Sequence, residues 1–369
     1  VPPLYLSSNF SFADFAQPRR YDYTRSGNPT RDALGEALAG LEGGAGAVIT
    51  NTGMSAVTLA VQLVRAGQRI IAPHDCYGGT WRLFDTLSRR GHFEVEFVDQ
   101  SKLELVRAAL AKGAALLWIE TPSNPLLRIV DIAALARLGH AAGARVLVDN
   151  TFLSPIWQQP LGLGADLVLH STTKYLNGHS DVVGGAVIAR DQALSDELGW
   201  FANTLGLTGA PFDSFLTLRG LRTLSARLRV HQENALSVAQ LLSKHAAVSR
   251  VYYPGLPSDP GHSLASSQQR GFGAMIGFEL HGDNSAVRAL VKGLKHYSLA
   301  ESLGGVESLI AHPATMTHAS MTAEARAVAG ISDQLLRLSI GIEDVTDLVT
   351  DLEAALDRAL NTLPFRAAA

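Results

Sequence analysis

The sequence predicts an α/β protein: a large domain built on a parallel sheet, followed by a smaller α+β domain. Three observations carry that expectation. Through the middle of the chain, short apolar runs alternate with amphipathic stretches of helix length. The runs are continuous and do not alternate with polar residues, as expected of strands covered on both faces. At 369 residues the chain exceeds one comfortable core, so two domains are expected.

Taken in order, the first 24 residues hold Pro2, Pro3, Pro18 and scattered aromatics without a period. They read as an extended arm, 1–24, that must pack on something else. The large domain is expected over 25–232. There "GAVIT" leads to the helical "GMSAVTLAVQLVRAG", "RIIAP" to "GTWRLFDTLSRRG", and "FEVEFVD" to "LELVRAALAKG". "AALLWIE", "DIAALARLGHAAG", "RVLVDN", "ADLVLHS" and "GGAVIA" continue the alternation. A long helical stretch, "TLSARLRVHQENALSVAQLLSKH", follows. The remainder, 233–369, carries "AMIGFELHG", "SAVRALVKGL", "LLRLSIGI" and "VTDLVTDLEAALDRAL". It reads as the smaller α+β domain.

Composition narrows the function classes. Lys and Arg number 31 against 34 Asp and Glu, a net charge of -3, and no basic run breaks the balance. A nucleic-acid partner is therefore not expected. No apolar stretch is long enough for a membrane span, and no secretory leader is visible from Val1 onward. The single cysteine, Cys76, cannot form an internal disulfide and fits a reducing cytoplasm. It lacks a local His partner, so a small buried filler is the expected role. The 12 histidines show no zinc-type spacing, so no metal is expected.

In a parallel sheet, ligands bind beyond the carboxyl ends of the strands, and three segments place polar groups there. In "ITNTGMSAV", Gly53 and Met54 open a helix after a strand, offering unpaired N–H groups and a positive dipole end to a phosphate. In "VLVDNTF", Asp149 ends a strong apolar strand. A carboxylate there is expensive unless a cation or hydrogen-bond donors meet it, although capping of the next turn is an equal explanation. In "LVLHSTTKYLNGHSDVVGG", Ser171 and Thr173 stand beside Lys174 just past an apolar strand. Two chemistries use such a lysine: a carbonyl-condensing amine, or the base beside a serine nucleophile. The Ser-x-x-Lys hydrolase needs Ser-Asp-Asn and Lys-Thr-Gly partners, which the sequence lacks, and Asn177-Gly178 breaks the helix it requires. A phosphate seat, a partner for a ring nitrogen and a buried amine together describe pyridoxal phosphate.

These segments, with "YDYTRSGNPTR", "APHDCYGGTWRLFD", "ETPSNPLLRIVDI", "AESLGGVESLI", "MTHAS" and "RLSIGIED", give the whole chain a resemblance. It resembles the pyridoxal-phosphate enzymes of cysteine and methionine transsulfuration. The resemblance implies the aminotransferase-like fold type I and a homotetramer, a dimer of dimers with shared active sites. It implies that Lys174 holds the cofactor, Asp149 pairs with its ring nitrogen and Tyr77 stacks on the ring face. Gly53, Met54, Ser171 and Thr173 would bind the phosphate, with Tyr23 and Arg25 reaching it from a neighbouring subunit. Arg337 would take the substrate α-carboxylate, with Ser302 and Asn124 lining the site.

Glu301 of "AESLGG" implies chemistry at the γ-carbon, because a carboxylate there attracts a distal ammonium. The implied reaction joins an activated homoserine ester to cysteine. Ser26 after Arg25 departs from the Arg-Arg of many such enzymes and leaves γ-elimination as the alternative. Arg82 could supply the missing charge for a succinyl donor. A non-enzymatic pyridoxal-binding regulator is disfavoured, because the substrate arginine is present.

Overall fold

The computed structural model describes residues 2–319 and 321–363. Val1, 364–369 and Ser320, which fall in the expected arm, the C-terminal domain and the Met-Thr-His-Ala-Ser motif, lie outside the described residues. The chain divides into two compact units. The first gathers Val1–Pro73, Gly79–Thr121 and Asp131–Ser225, and the second His74–Gly78, Pro122–Val130 and Ala226–Ala369.

The first unit holds a seven-stranded sheet. Its strands are β1 (Gly46–Thr50), β2 (Arg69–Pro73), β3 (Glu94–Val98), β4 (Leu116–Glu120), β5 (Arg145–Asp149), β6 (Leu167–Ser171) and β7 (Gly185–Ala189), in the order β1-β7-β6-β5-β4-β2-β3. From β6 to β3 every neighbouring pair is parallel. The sequence predicts a parallel sheet throughout, and β7 departs from it by running antiparallel to both β6 and β1. The cause is the connection. No helix lies between β6 and β7, and a parallel return would need a helix-length crossover.

One face of this sheet packs Leu147, Leu167, Leu169 and Val187 into a core with Ala56, Leu59 and Ala60 of the helix Gly53–Ala60. Phe84 completes that core, edge-on to Trp118 at 5.2 Å and to Phe93 at 6.0 Å. The helix Pro29–Glu42 starts at Asn28, whose side chain accepts from the Thr30 and Arg31 amides, and has proline in its first turn. Ahead of it, the described arm has little interior of its own. Phe15 is 95% exposed and Leu6 67%, and isolated bridges join Asn9 to Tyr23 and Asp14 to Gln17.

The second unit is α+β. Strands β8 (Val248–Tyr252), β9 (Met275–Leu280), β10 (Tyr297–Leu299), β11 (Ser308–Ala311) and β12 (Leu335–Ser339) form a sheet in the order β10-β11-β12-β9-β8. Only the β10–β11 pair is parallel. The helices Asn284–Val291 and Val345–Leu360 pack on each other. They bury Leu290, Leu352 and Leu356.

Phe84→Ala removes the ring that joins two aromatic contacts inside the first unit's core. A loss of about 3–5 kcal/mol is expected for such a truncation, read as a lower urea midpoint at an unchanged slope. An unchanged midpoint would show that this core does not limit stability.

Candidate active site

The carboxyl ends of β1, β5 and β6 carry most of the first unit's expected site residues. Thr52 caps the helix Gly53–Ala60, its hydroxyl accepting from the Ser55 amide at 2.8 Å. The amides of Gly53 and Met54 thus lie at a helix start, where partners within the helix are lacking. Gly53 is required there: a Cβ would stand 2.9 Å from both Cβ and Oγ of Ser171. The bare backbone lets the helix start approach the Ser171 hydroxyl closely.

Lys174 follows in the loop between β6 and β7, and that loop is clamped. The Thr172 amide donates to the Gly184 carbonyl at 3.0 Å. The Thr173 hydroxyl donates to that same carbonyl and accepts from the Gly184 amide at 3.0 Å. Beyond the lysine, the Gly178 amide donates to the Lys174 carbonyl at 2.8 Å, and Asn177 donates to Asp181 at 2.8 Å.

Asp149 ends β5. Its Oδ1 accepts from the Thr151 amide at 3.0 Å, while the Thr151 hydroxyl accepts from the Ser171 amide at 2.9 Å. Burial pushes the Asp149 carboxyl above its ordinary range, and the Thr151 hydrogen bonds and the charge of His170 oppose that shift. Thr151 therefore links the acid to the backbone of Ser171, the residue beside Gly53. The sequence reading did not single it out, and the only signal was its place two residues after Asp149.

The residues present fit pyridoxal phosphate on three counts. A helix start stripped of its first side chain faces a serine hydroxyl, a partly buried carboxylate ends the neighbouring strand, and a lysine amine sits in the clamped loop. Tyr23 and Arg25 stand apart from these groups in the arm. Both are exposed, with Arg25 over the Tyr23 ring at 5.6 Å and donating to Asn203 O at 2.7 Å. Arg82 is exposed on the helix Gly78–Arg89.

The second unit collects Asn124, Ser302 and Arg337. Arg337 lies in the middle of β12, only 3% exposed. A surface ion pair is therefore excluded. Its Nη1 donates to Asn124 Oδ1 at 3.0 Å and its Nη2 to the Ser302 carbonyl at 2.8 Å. Ser302 holds φ at 89°, and the exposed Glu301 precedes it.

Tyr77 is 42% exposed, which excludes a core role, whereas Cys76 is buried as expected. The loop that carries Tyr77 is fixed through Asp75. That carboxylate accepts from Ser123 Oγ and from Arg128, each at 2.8 Å, and Arg128 also donates to the Ala329 carbonyl. Asp75 and Arg128 escaped the sequence reading because their positions carry no periodic or motif-end signal.

Among the described residues no group of three or more His, Cys, Asp or Glu side chains could hold a metal ion. None of the described helices is long and apolar enough to cross a membrane.

A family model described as Cys/Met metabolism PLP-dependent enzyme matches residues 1–357. The chain belongs to that family. Its cofactor is pyridoxal phosphate, and the fold is that of its fold type I relatives. The cystathionine γ-synthase of Escherichia coli K12 is 58% identical over 354 residues, spanning 96% of this chain and 92% of the relative. A crystal structure of the cystathionine γ-synthase of Xanthomonas oryzae pv. oryzae in complex with cystathionine superimposes with a TM-score of 0.97 at 64% identity. That match covers 98% of this chain and 94% of the other. The cystathionine γ-lyase of Lactobacillus plantarum, complexed with L-serine, gives 0.93 at 42%, covering 98% and 93%.

Two buried histidines of the second unit give a test of its electrostatics. Burial lowers His231 and His318 from an ordinary 6.5 to about 4, and for His318 the nearby Arg337 adds to the effect. The unfolded chain binds protons below pH 6.5 while the folded one refuses them until about pH 4. Stability is thus fully present above pH 6.5 and falls as the pH drops toward 4. At about 1.4 kcal/mol per pH unit, each histidine withdraws on the order of 3 kcal/mol across that window. His231→Asn keeps a donor for the Ile340 carbonyl, which His231 Nδ1 reaches at 2.6 Å. Urea midpoints measured from pH 7.5 to 4 should fall less steeply in this variant, and an identical slope would refute the assignment.

Proposed function

We propose that the enzyme catalyses γ-replacement, joining O-succinyl- or O-acetyl-L-homoserine to L-cysteine to form L-cystathionine. This is the reaction of a cystathionine γ-synthase, serving methionine biosynthesis in the cytoplasm. The observation that carries the reading is the full-length likeness to two such synthases, at 58% and 64% identity. It is joined to a buried Arg337 that suits an α-carboxylate.

When bound, pyridoxal phosphate supplies an aldehyde that condenses with amines and a ring that takes up electrons released from the substrate carbon. Lys174 would anchor it and, as the free amine, would move one proton at a time, taking the α-proton, handing it to the group that took up the electrons, and then taking a β-proton. The γ-acyloxy group leaves with its bonding electrons as a carboxylate. The cysteine thiolate then forms the new carbon–sulfur bond, and Lys174 returns the protons. Tyr77 would cover the ring face, and Asp149 would hold the ring nitrogen. Gly53, Met54, Ser171 and Thr173 would hold the phosphate with Tyr23 and Arg25 of a neighbouring subunit in a homotetramer. Arg337 takes the α-carboxylate beside Asn124 and Ser302. Glu301 attracts the distal ammonium, and Arg82 meets the succinyl carboxylate.

The second reading is γ-elimination of cystathionine, favoured by the exposed Ser26 after Arg25. One assay separates the two. With homoserine ester and cysteine, cystathionine formation should outrun oxobutanoate release, and cystathionine itself should be cleaved slowly. Cleavage faster than synthesis would replace the first reading by the second.

Subunit sharing has its own test. Neither Lys174→Ala nor Arg25→Ala alone should retain substantial turnover, although Lys174→Ala should still bind the cofactor through its phosphate. Mixed and allowed to exchange subunits, the two should regain a fraction of wild-type activity, roughly a quarter of sites being intact. No recovery after verified exchange would exclude the shared site.

A further inference from the structure

The end of the helix Pro29–Glu42 places a carboxylate where one is costly. Glu42 is 2% exposed, and it faces His170 of β6, which is 0% exposed. His170 Nε2 donates to Glu42 Oε1 at 2.6 Å, and Asn150 Nδ2 donates to the same oxygen at 2.9 Å. Asn150 is itself fixed on three sides. Its amide donates to the Leu169 carbonyl at 2.9 Å, its Nδ2 also donates to Gln158 O at 2.8 Å, and Gln158 Nε2 donates to Asn150 Oδ1 at 3.0 Å. One carboxylate oxygen thus ties the end of β6 to the residue just past β5.

The neighbours of these tied residues are the proposed cofactor groups. Asn150 follows Asp149, and His170 precedes Ser171, Thr173 and Lys174. Asp149 pairs in register with Leu169, so its side chain shares the face of Leu169 and Ser171, while His170 lies on the other face. Glu42 therefore acts from the far side of the sheet and reaches the cofactor groups only through the strand ends.

We propose that the buried Glu42–His170 pair positions Asp149. It fixes the two strand ends, and with them the placement of the Asp149 carboxylate toward the cofactor's ring nitrogen. A carboxylate sealed from water needs strong donors, and the short Nε2–Oε1 contact supplies one. Burial works against an ionised Asp149, so its pairing depends on how closely the strand end places it. Neither Glu42 nor His170 touches the cofactor in this scheme. They are positioning residues.

The inference rests on Asp149 as the partner of the ring nitrogen, and the experiment separates the two statements. Wild type, Asp149→Asn, Glu42→Gln and His170→Asn are each reconstituted with pyridoxal phosphate labelled with ¹⁵N in its ring, and the nitrogen resonance is read by NMR. Asp149→Asn should move it fully toward the unprotonated position. Glu42→Gln and His170→Asn should move it part of the way, and should weaken cofactor binding roughly tenfold, as expected for loss of one charge-assisted contact. A purely structural role would lower the melting temperature and leave the resonance of bound cofactor in place. That outcome in both folded variants would overturn the proposal while leaving Asp149 as the partner. An unmoved resonance in Asp149→Asn would overturn both. Should the variants fail to fold, ¹⁵N-histidine labelling of the wild-type holoenzyme decides. A slowly exchanging Nε2–H on His170 supports the pair, and its absence overturns it.

Discussion

The turn that brings β7 back against β6 is the constraint on which the lysine's position depends. With no helix to carry the chain across the sheet, the residues between the two strands stay at the sheet's edge. Thr172 and Thr173 both bind Gly184, so the loop closes on its own stem. Gly184 has no substitute there, because a Cβ would collide with the Thr172 hydroxyl. Lys174 therefore projects from a backbone fixed on both sides, which limits the directions its side chain can take.

Much of this fold was legible as strings of apolar residues. "RIIAP", "LLWIE" and "LVLHS" became central strands because a strand buried on both faces has no other way to read. The direction of β7 was not legible: "GGAVIA" looks the same in either sense, and only the absence of a crossover helix sets it. The gathering of His74–Gly78 and Pro122–Val130 into the second unit is invisible to any contiguous boundary. Within the site, Lys174 and Asp149 announced themselves as charges at the ends of apolar runs. Glu42 did not, since a glutamate in the last turn of a helix ordinarily faces water, and its burial comes from the fold around it. Arg337 sits in "LLRLS" as the one charged residue of a strand, and only the family likeness distinguished it from an edge residue.

The second unit shows how a buried guanidinium is kept useful. Asn124 Oδ1 and the Ser302 carbonyl carry no formal charge, so they orient two arms of the Arg337 fork without cancelling its positive charge. A carboxylate in either place would neutralise it and compete with an incoming anion. The proton that His318 would add is held off by burial and by Arg337 itself. His318 thus adds no second positive charge beside Arg337 near neutral pH.

Ser302 bears the cost of that arrangement. A serine at φ 89° lies in a region that L-residues avoid, at about 1–3 kcal/mol. A glycine would relieve the strain, yet it would also free the carbonyl that Arg337 Nη2 now engages. Nearby, Gly304 donates its amide to the Ser339 hydroxyl at 2.8 Å, two residues beyond Arg337 on the same strand. The segment Glu301–Gly304 is thereby tied to β12 at a second point beyond the arginine's own contact. Strain at Ser302 and the tie at Gly304 hold the carbonyl in place together, and Glu301 is carried along as the residue next to it. Glu301 is thus mounted on the same turn whose carbonyl orients Arg337, so the two side chains are held in one frame.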